Sequence, residues 1–167
     1  MVLRRRPVRA GHWNRRLPKA DDPTALFFAL FNEIAIISQL SGRMLEARLP
    51  KGFLVSHFAV LNHLARLGDG RTPLAIARAF QVPKPTMTHT LAGLAEAGLV
   101  RFAANPADGR SKCVMLTDKG RRFREEAIAM LKPDFAELAR RFKPDTVAAA
   151  LPFLAELRAY LDKAREE

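Results

Sequence analysis

Two clusters of side chains, Lys84 to Thr90 and Asp108 to Lys112, combine residue types and spacings that suit recognition of a polyanion. The first offers a cation, hydroxyls and an imidazole at Lys84, Thr86, His89 and Thr90. Threonine bonds several base edges or touches a thymine methyl, and histidine donates to a guanine acceptor or a phosphate. Lys84 adds charge where a helix N-terminus already favours a phosphate oxygen. The second cluster places Arg110 two residues after Asp108 and two before Lys112. An extended arginine suits a narrow minor groove of strongly negative potential. A nearby carboxylate fixes its direction through a charge-assisted hydrogen bond, and Lys112 suits a backbone phosphate. Taken alone, the first cluster also reads as a solvated helix face and Asp-x-Arg as an ordinary surface ion pair of little energetic weight.

The elements that must position these residues are legible around them. Thr72-Pro73 caps and opens a short third helix, Leu74 to Phe80. Val82-Pro83-Lys84-Pro85 turns the chain, because the residue before each proline is pushed out of the helical region. A fourth helix runs from about Lys84 to Ala97, with Met87, Leu91 and Leu94 inward and Gly98 as its C-terminal cap. A rotation of about 100° per residue puts Thr86 and His89 on the outer face with Thr90 beside them. From Leu99 to Leu116 the apolar period shifts towards two, around the turn residues Asn105-Pro106-Ala107-Asp108-Gly109, which predicts a two-stranded hairpin. The order is a helix-turn-helix followed by a basic wing.

Upstream, Asp22-Pro23 opens a first helix that reaches about Arg48. Its wide apolar stripe, Leu26, Phe27, Leu30, Phe31, Ile34, Ile37, Leu40 and Met44, predicts contacts within the subunit and across to a partner. A second helix spans Val55–Leu67 and stops at Gly68-Asp69-Gly70. Downstream, Thr117 caps a fifth helix whose apolar rhythm, Ile128, Leu131, Phe135, Leu138 and Phe142, runs through Pro133, so a kink is expected there and not a break. Pro144 opens a last helix, which Pro152 should bend.

The chain has 167 residues, 49% of them apolar, and a net charge of +11. Such a composition is globular, and the charge predicts attraction to nucleic acid first and acidic membrane surfaces second. Residues 1–20 hold seven basic residues and no acid, so +7 of the +11 sits in an N-terminal arm and +4 in the rest. No apolar run approaches the roughly 20 residues that span a bilayer, and no apolar stretch follows the basic start as in a secretory signal. An Arg-rich, acid-poor start is also a feature of organelle transit peptides. The single cysteine, Cys113, excludes an intrachain disulfide. Together these favour the cytoplasm and no membrane partner. His12, His57, His63 and His89 show no metal-ligand spacing. No nucleophile, base and oxyanion grouping and no phosphate-binding glycine loop is visible. No metal, no cofactor and no enzymatic activity is expected.

In this combination the residues resemble the MarR family of bacterial transcription regulators. The matching stretches are Thr72-Pro73-Leu74-Ala75-Ile76-Ala77, Val82 through Thr88, Leu91-Ala92-Gly93-Leu94 with Gly98-Leu99-Val100, and Asp108-x-Arg110 leading to Val114-x-Leu116-Thr117-x-x-Gly120. The resemblance implies a mainly α fold, a winged helix-turn-helix with a two-stranded β-wing and a helical dimerisation region from both termini. It implies a homodimer on double-stranded DNA of near-palindromic sequence, released by a small molecule. By position, Thr86, Thr88 and His89 would lie in the major groove and Arg110 in the minor groove, with Asp108 orienting it. His89 departs from the pattern, since many relatives carry arginine there, and so does the long basic arm. That arm either lies along DNA or is a disordered tail. Some relatives sense oxidants through a cysteine near the first helix, whereas Cys113 sits on the wing. There, Arg110 and Lys112 would have to lower its pKa and leave it accessible.

The expected organisation is therefore a basic arm over residues 1–21, a dimerisation region over 22–50 and 118–165, and a DNA-binding lobe over 51–117. In the resembled family, effectors sit where the dimer helices meet that lobe, which makes Phe27, Phe31, His57 and Phe58 candidate ligands for a small aromatic effector as well as candidates for ordinary core packing. The expected function is sequence-specific repression. The alternative is a winged helix used for protein docking or general nucleic-acid binding, with the arm as its main contact.

Overall fold

The computed structural model describes residues 18–164. The basic arm lies outside the described residues except for its last four, as do residue 165 and His12. By backbone contacts the chain divides after Met44 into two compact units.

The first unit holds most of α1 (Pro23–Glu46), opened by the Asp22 carboxylate, which accepts a hydrogen bond from the Ala25 N–H at 3.0 Å. Its apolar stripe is largely exposed, Phe27 at 47%, Ile37 at 60% and Leu40 at 63%. Helix α1 has 24 residues, and an 18-residue window within it has a mean hydropathy of 1.5, so by length and composition it is long and apolar enough to cross a membrane. This corrects the expectation that no segment approaches that length. Asn32, Glu33, Gln39 and Arg43 divide the apolar sequence into short runs, while an 18-residue window of the helix stays apolar on average.

The second unit contains α2 (Val55–Leu67), α3 (Pro73–Phe80), α4 (Lys84–Glu96), β1 (Val100–Ala104), β2 (Lys112–Leu116), α5 (Asp118–Met130), α6 (Lys132–Arg141) and α7 (Pro144–Ala164). Its core joins Val60, Leu61 and Leu64 of α2, Ile76 and Ala77 of α3, Met87, Leu91 and Leu94 of α4, and Leu99, Val100, Val114 and Leu116 of the wing. Each fully buried leucine contributes about 1.5–3 kcal/mol relative to exposure, so the lobe is held by its own interior.

Local chemistry sets the boundaries. The Thr72 hydroxyl accepts from the Ala75 N–H at 3.2 Å and starts α3. The helix ends on Gln81, whose φ of 53° is left-handed, a conformation that turns the chain towards α4. Gly98 takes φ +70° after α4, and the Leu99 N–H reaches back to the Leu94 carbonyl at 2.9 Å, so the orphaned helix carbonyl is satisfied and Leu99 enters the core. The Thr117 hydroxyl accepts from the Gly120 N–H at 3.0 Å to open α5, and donates to the carbonyls of Gly98 and Leu99 at 2.8 and 3.0 Å.

The expected kink at Pro133 is a break: α5 stops at Met130, Leu131 lies between the helices, and α6 begins at Lys132. Proline lacks the N–H that would bond the Ala129 carbonyl and its ring crowds that carbonyl. Leu131 keeps a helical backbone (φ −83°, ψ −9°). Helix α7 runs through Pro152 without interruption.

Candidate nucleic-acid interface

The recognition surface begins with the burial pattern of α4. Met87, Leu91 and Leu94 are buried, which turns Lys84, Thr86, Thr88 and His89 to the exposed side. Thr88 Oγ1 donates to the Lys84 carbonyl at 2.9 Å, so its proton is committed while its lone pairs and methyl remain available to a base edge. Pro83 precedes the helix and Pro85 lies in its first turn, with no side chain capping the N-terminus. The unsatisfied N–H groups there favour an anion, and Lys84 adds a charge.

Thr90, expected beside Thr86 and His89, is instead buried at 8% exposure, and its hydroxyl donates to the Thr86 carbonyl at 3.1 Å. The rotation places it about 40° from Thr86 but also about 40° from Leu94. Packing of the lobe assigns that boundary position to the interior, and Thr90 is removed from the candidate contacts.

The wing is an antiparallel pair from Val100↔Leu116 to Ala104↔Lys112, widened by a bridge from Arg71 to Val114. Its tip is ordered by its own side chains. Asn105 Nδ2 donates to Ser111 Oγ at 2.8 Å, and Asn105 Oδ1 accepts from the Ala107 N–H at 3.0 Å. Asp108 Oδ1 accepts from the Arg110 N–H at 3.1 Å and from Arg110 Nε at 3.4 Å. The structure thus joins Asp108 to Arg110 as the spacing predicts. The Arg110 side chain is 96% exposed, so its guanidinium projects from the tip. Lys112 is exposed at the start of β2. Cys113 is 4% exposed, which removes the access an oxidant-sensing thiol requires.

Asp69 was legible only as part of a helix stop. Its Oδ1 accepts from the Leu116 N–H and its Oδ2 from Arg121, both at 2.9 Å, so one carboxylate ties the loop after α2 to the wing base and to α5. Its partners lie 47 and 52 residues away, beyond any local sequence signal.

The effector candidates fall in different units. Phe27 and Phe31 lie exposed on α1, and His57 and Phe58 are half-buried on α2. His57 Nδ1 accepts from the Leu54 N–H at 3.1 Å, and a Cβ placed at Gly93 of α4 would lie 3.5 Å from its Nε2. Burial, then the nearby His89, lowers the His57 pKa below that of a free imidazole. Burial, then Arg71 and Arg66, does the same to His63. The folded chain therefore binds these protons less readily than the unfolded chain, which takes them up near the ordinary value of about 6.5. Stability is therefore full above that pH and falls as pH drops through it towards the lower folded values. Urea midpoints should decline between pH 7.5 and 5, and His63→Phe should flatten the decline. Equal slopes in wild type and variant would assign the effect elsewhere.

Known proteins share this arrangement. The model of the MarR family matches residues 51–111. The crystal structure of the transcriptional regulator BldR from Sulfolobus solfataricus is similar with a TM-score of 0.70 at 23% identity, over 83% of this chain and 99% of that one, a likeness of fold. Wild-type MarR from E. coli in its apo form is 27% identical with a TM-score of 0.66, over 77% and 96% of the two chains. A mutant E. coli MarR complexed with operator DNA is 25% identical with a TM-score of 0.63, over 81% and 98%.

Proposed function

We propose that this chain, a MarR-family transcription regulator, acts as a cytoplasmic homodimer that occupies a near-palindromic operator and represses transcription. One observation carries the proposal. Thr86, Thr88 and His89 are exposed at the start of α4 while the Arg110 guanidinium projects from the wing of the same lobe. A helix fits the major groove and an extended arginine the minor groove. Two such lobes on a twofold axis read half-sites about 10 base pairs apart.

The exposed apolar side chains of the terminal helices support the pairing. Phe135 and Leu138 on α6 are 47% and 43% exposed, and Leu151, Phe153 and Leu161 on α7 are 58%, 48% and 46% exposed. Surface of this kind favours a second copy of the chain. The polar positions Asn32, Gln39 and Arg43 recur along one side of α1, which suits a helix at a protein interface better than one surrounded by lipid. Leu154→Asp should weaken dimerisation about 100-fold or more, because a charge would be buried without a partner. Sedimentation equilibrium checks this: a wild-type mass near the 18.6 kDa of one chain would remove the dimer.

A small aromatic acid would release the operator by favouring one spacing of the recognition helices over another. The exposed rings of Phe27 and Phe31 support that chemistry. A screen of aromatic acids that leaves operator affinity unchanged removes the effector.

Mapping of bound genomic DNA, followed by titration of the recovered site, tests the whole reading. Preference over random duplex by roughly 10³ or more is expected. Equal affinity for both would point to general nucleic-acid binding instead.

A further inference from the structure

Away from the duplex-facing residues, a cavity of about 820 Å³ is lined by His63, Arg66, Arg71, Arg78, Arg158 and Asp162, among others. Four guanidinium groups and one carboxylate give its lining a net charge of +3. The arginines come from α2, the loop after it, α3 and α7, so chain positions far apart in sequence are gathered at one place. Arg158 pairs with Asp162 at 3.1 Å, and Arg71 donates to the Leu67 carbonyl at 3.4 Å.

Like charges gathered in this way repel, and an anion relieves the repulsion. Arginine forks match carboxylate and phosphate oxygens in bidentate geometry. His63 marks the inner wall. Its ring packs on Phe80 with centroids 5.2 Å apart, and its buried Nε2 has no hydrogen-bond partner. The volume exceeds what one phosphate fills and lies within the range of small-molecule sites, roughly 300–1,000 Å³.

We propose that this cavity, where Arg66, Arg71 and Arg78 of the lobe gather with Arg158 of α7, binds a small polyanion bearing at least two phosphate or carboxylate groups. The occupant is a compact metabolite and not a duplex, because the α7 carboxylate Asp162 on the lining would oppose a continuous phosphate backbone. The site is separate from the aromatic-effector reading and does not depend on it. Occupancy would tie α7 to α2 and α3.

Isothermal titration of the full chain at 150 mM salt with inorganic pyrophosphate and, separately, citrate tests this. At least one should bind with a dissociation constant of about 100 μM or tighter, and which of them does identifies phosphate or carboxylate chemistry. Arg78→Ala and Arg158→Ala should each weaken binding about 10-fold or more, while Lys132→Ala leaves it unchanged. All three side chains are exposed, so the variants should melt with the wild type. In a parallel measurement, saturating anion should raise the His63 titration midpoint followed by NMR. The proposal is overturned if neither anion binds, or if both arginine variants bind as well as wild type. It is equally overturned if Arg78→Ala instead weakens random-duplex binding and makes its salt dependence shallower while no small anion binds, which would make the patch a track for DNA phosphates.

Discussion

Replacing Gly120 with alanine is expected to destabilise the protein by about 3 kcal/mol or more, lowering the melting temperature by roughly 10 °C in a chain of this size. The cause is close approach. A Cβ at Gly120 would lie 2.1 Å from the Leu99 carbonyl oxygen and 2.8 Å from Leu116 Cδ1. The first obstacle is backbone and cannot rotate aside. That carbonyl also accepts hydrogen bonds from the Thr117 N–H at 3.1 Å and from its hydroxyl at 3.0 Å, so moving α5 away sacrifices the latch at its start. Leu99 and Leu116 flank the wing base, and the damage should therefore reach DNA binding as well as stability. Gly109 is the matched control, since a Cβ there meets nothing within 4 Å, and Gly109→Ala should change stability by less than about 0.5 kcal/mol. Thermal and urea melts followed by circular dichroism give both values. A Gly120→Ala melt within 2 °C of wild type would show that α5 and the wing are not packed this closely.

Arg110→Ala should separate recognition from folding. The side chain is 96% exposed and its Nε lies 3.4 Å from the Asp108 carboxylate, so its removal should leave the melting temperature and the proposed dimer unchanged. Operator affinity should fall about 10- to 100-fold, the cost of losing a specific groove contact of roughly 1–3 kcal/mol. The slope of log affinity against log salt should also become shallower by about one ion per lobe. Asp108→Ala should lose less, because it loosens the guanidinium and the tip without removing the charge. Fluorescence anisotropy with a mapped operator, alongside sedimentation, measures each quantity. Monomers after Arg110→Ala, or unchanged affinity, would contradict the proposed placement of this residue in the minor groove.

The elements that carry the interface were legible because their signals are local. The caps at Thr72 and Thr117, the proline-rich turn before α4, the left-handed glycine at 98 and the period-two alternation around Asn105–Gly109 each act within a few residues. So do the outward faces of Thr86 and His89, which follow from three buried side chains on one helix. Local rules failed where two of them competed or where the partner was distant. Apolar rhythm argued for a continuous helix at Pro133 and the missing N–H argued against it; the missing N–H prevailed. Thr90 stood at the edge of the buried arc, and only the packing of the lobe decided its side.

Sequence alone determined a helix-turn-helix, a wing with an arginine at its tip, and terminal helices with more apolar surface than one lobe needs. Those properties depend on neighbours three or four positions away in a helix, or two in a strand. Tertiary structure alone decided that Asp69 braces the wing, that Cys113 is shielded, that Gly120 has no room for a methyl group, and that four arginines gather around one cavity. Each of these joins residues tens of positions apart, and their meeting is set by how the hydrophobic core brings whole elements together.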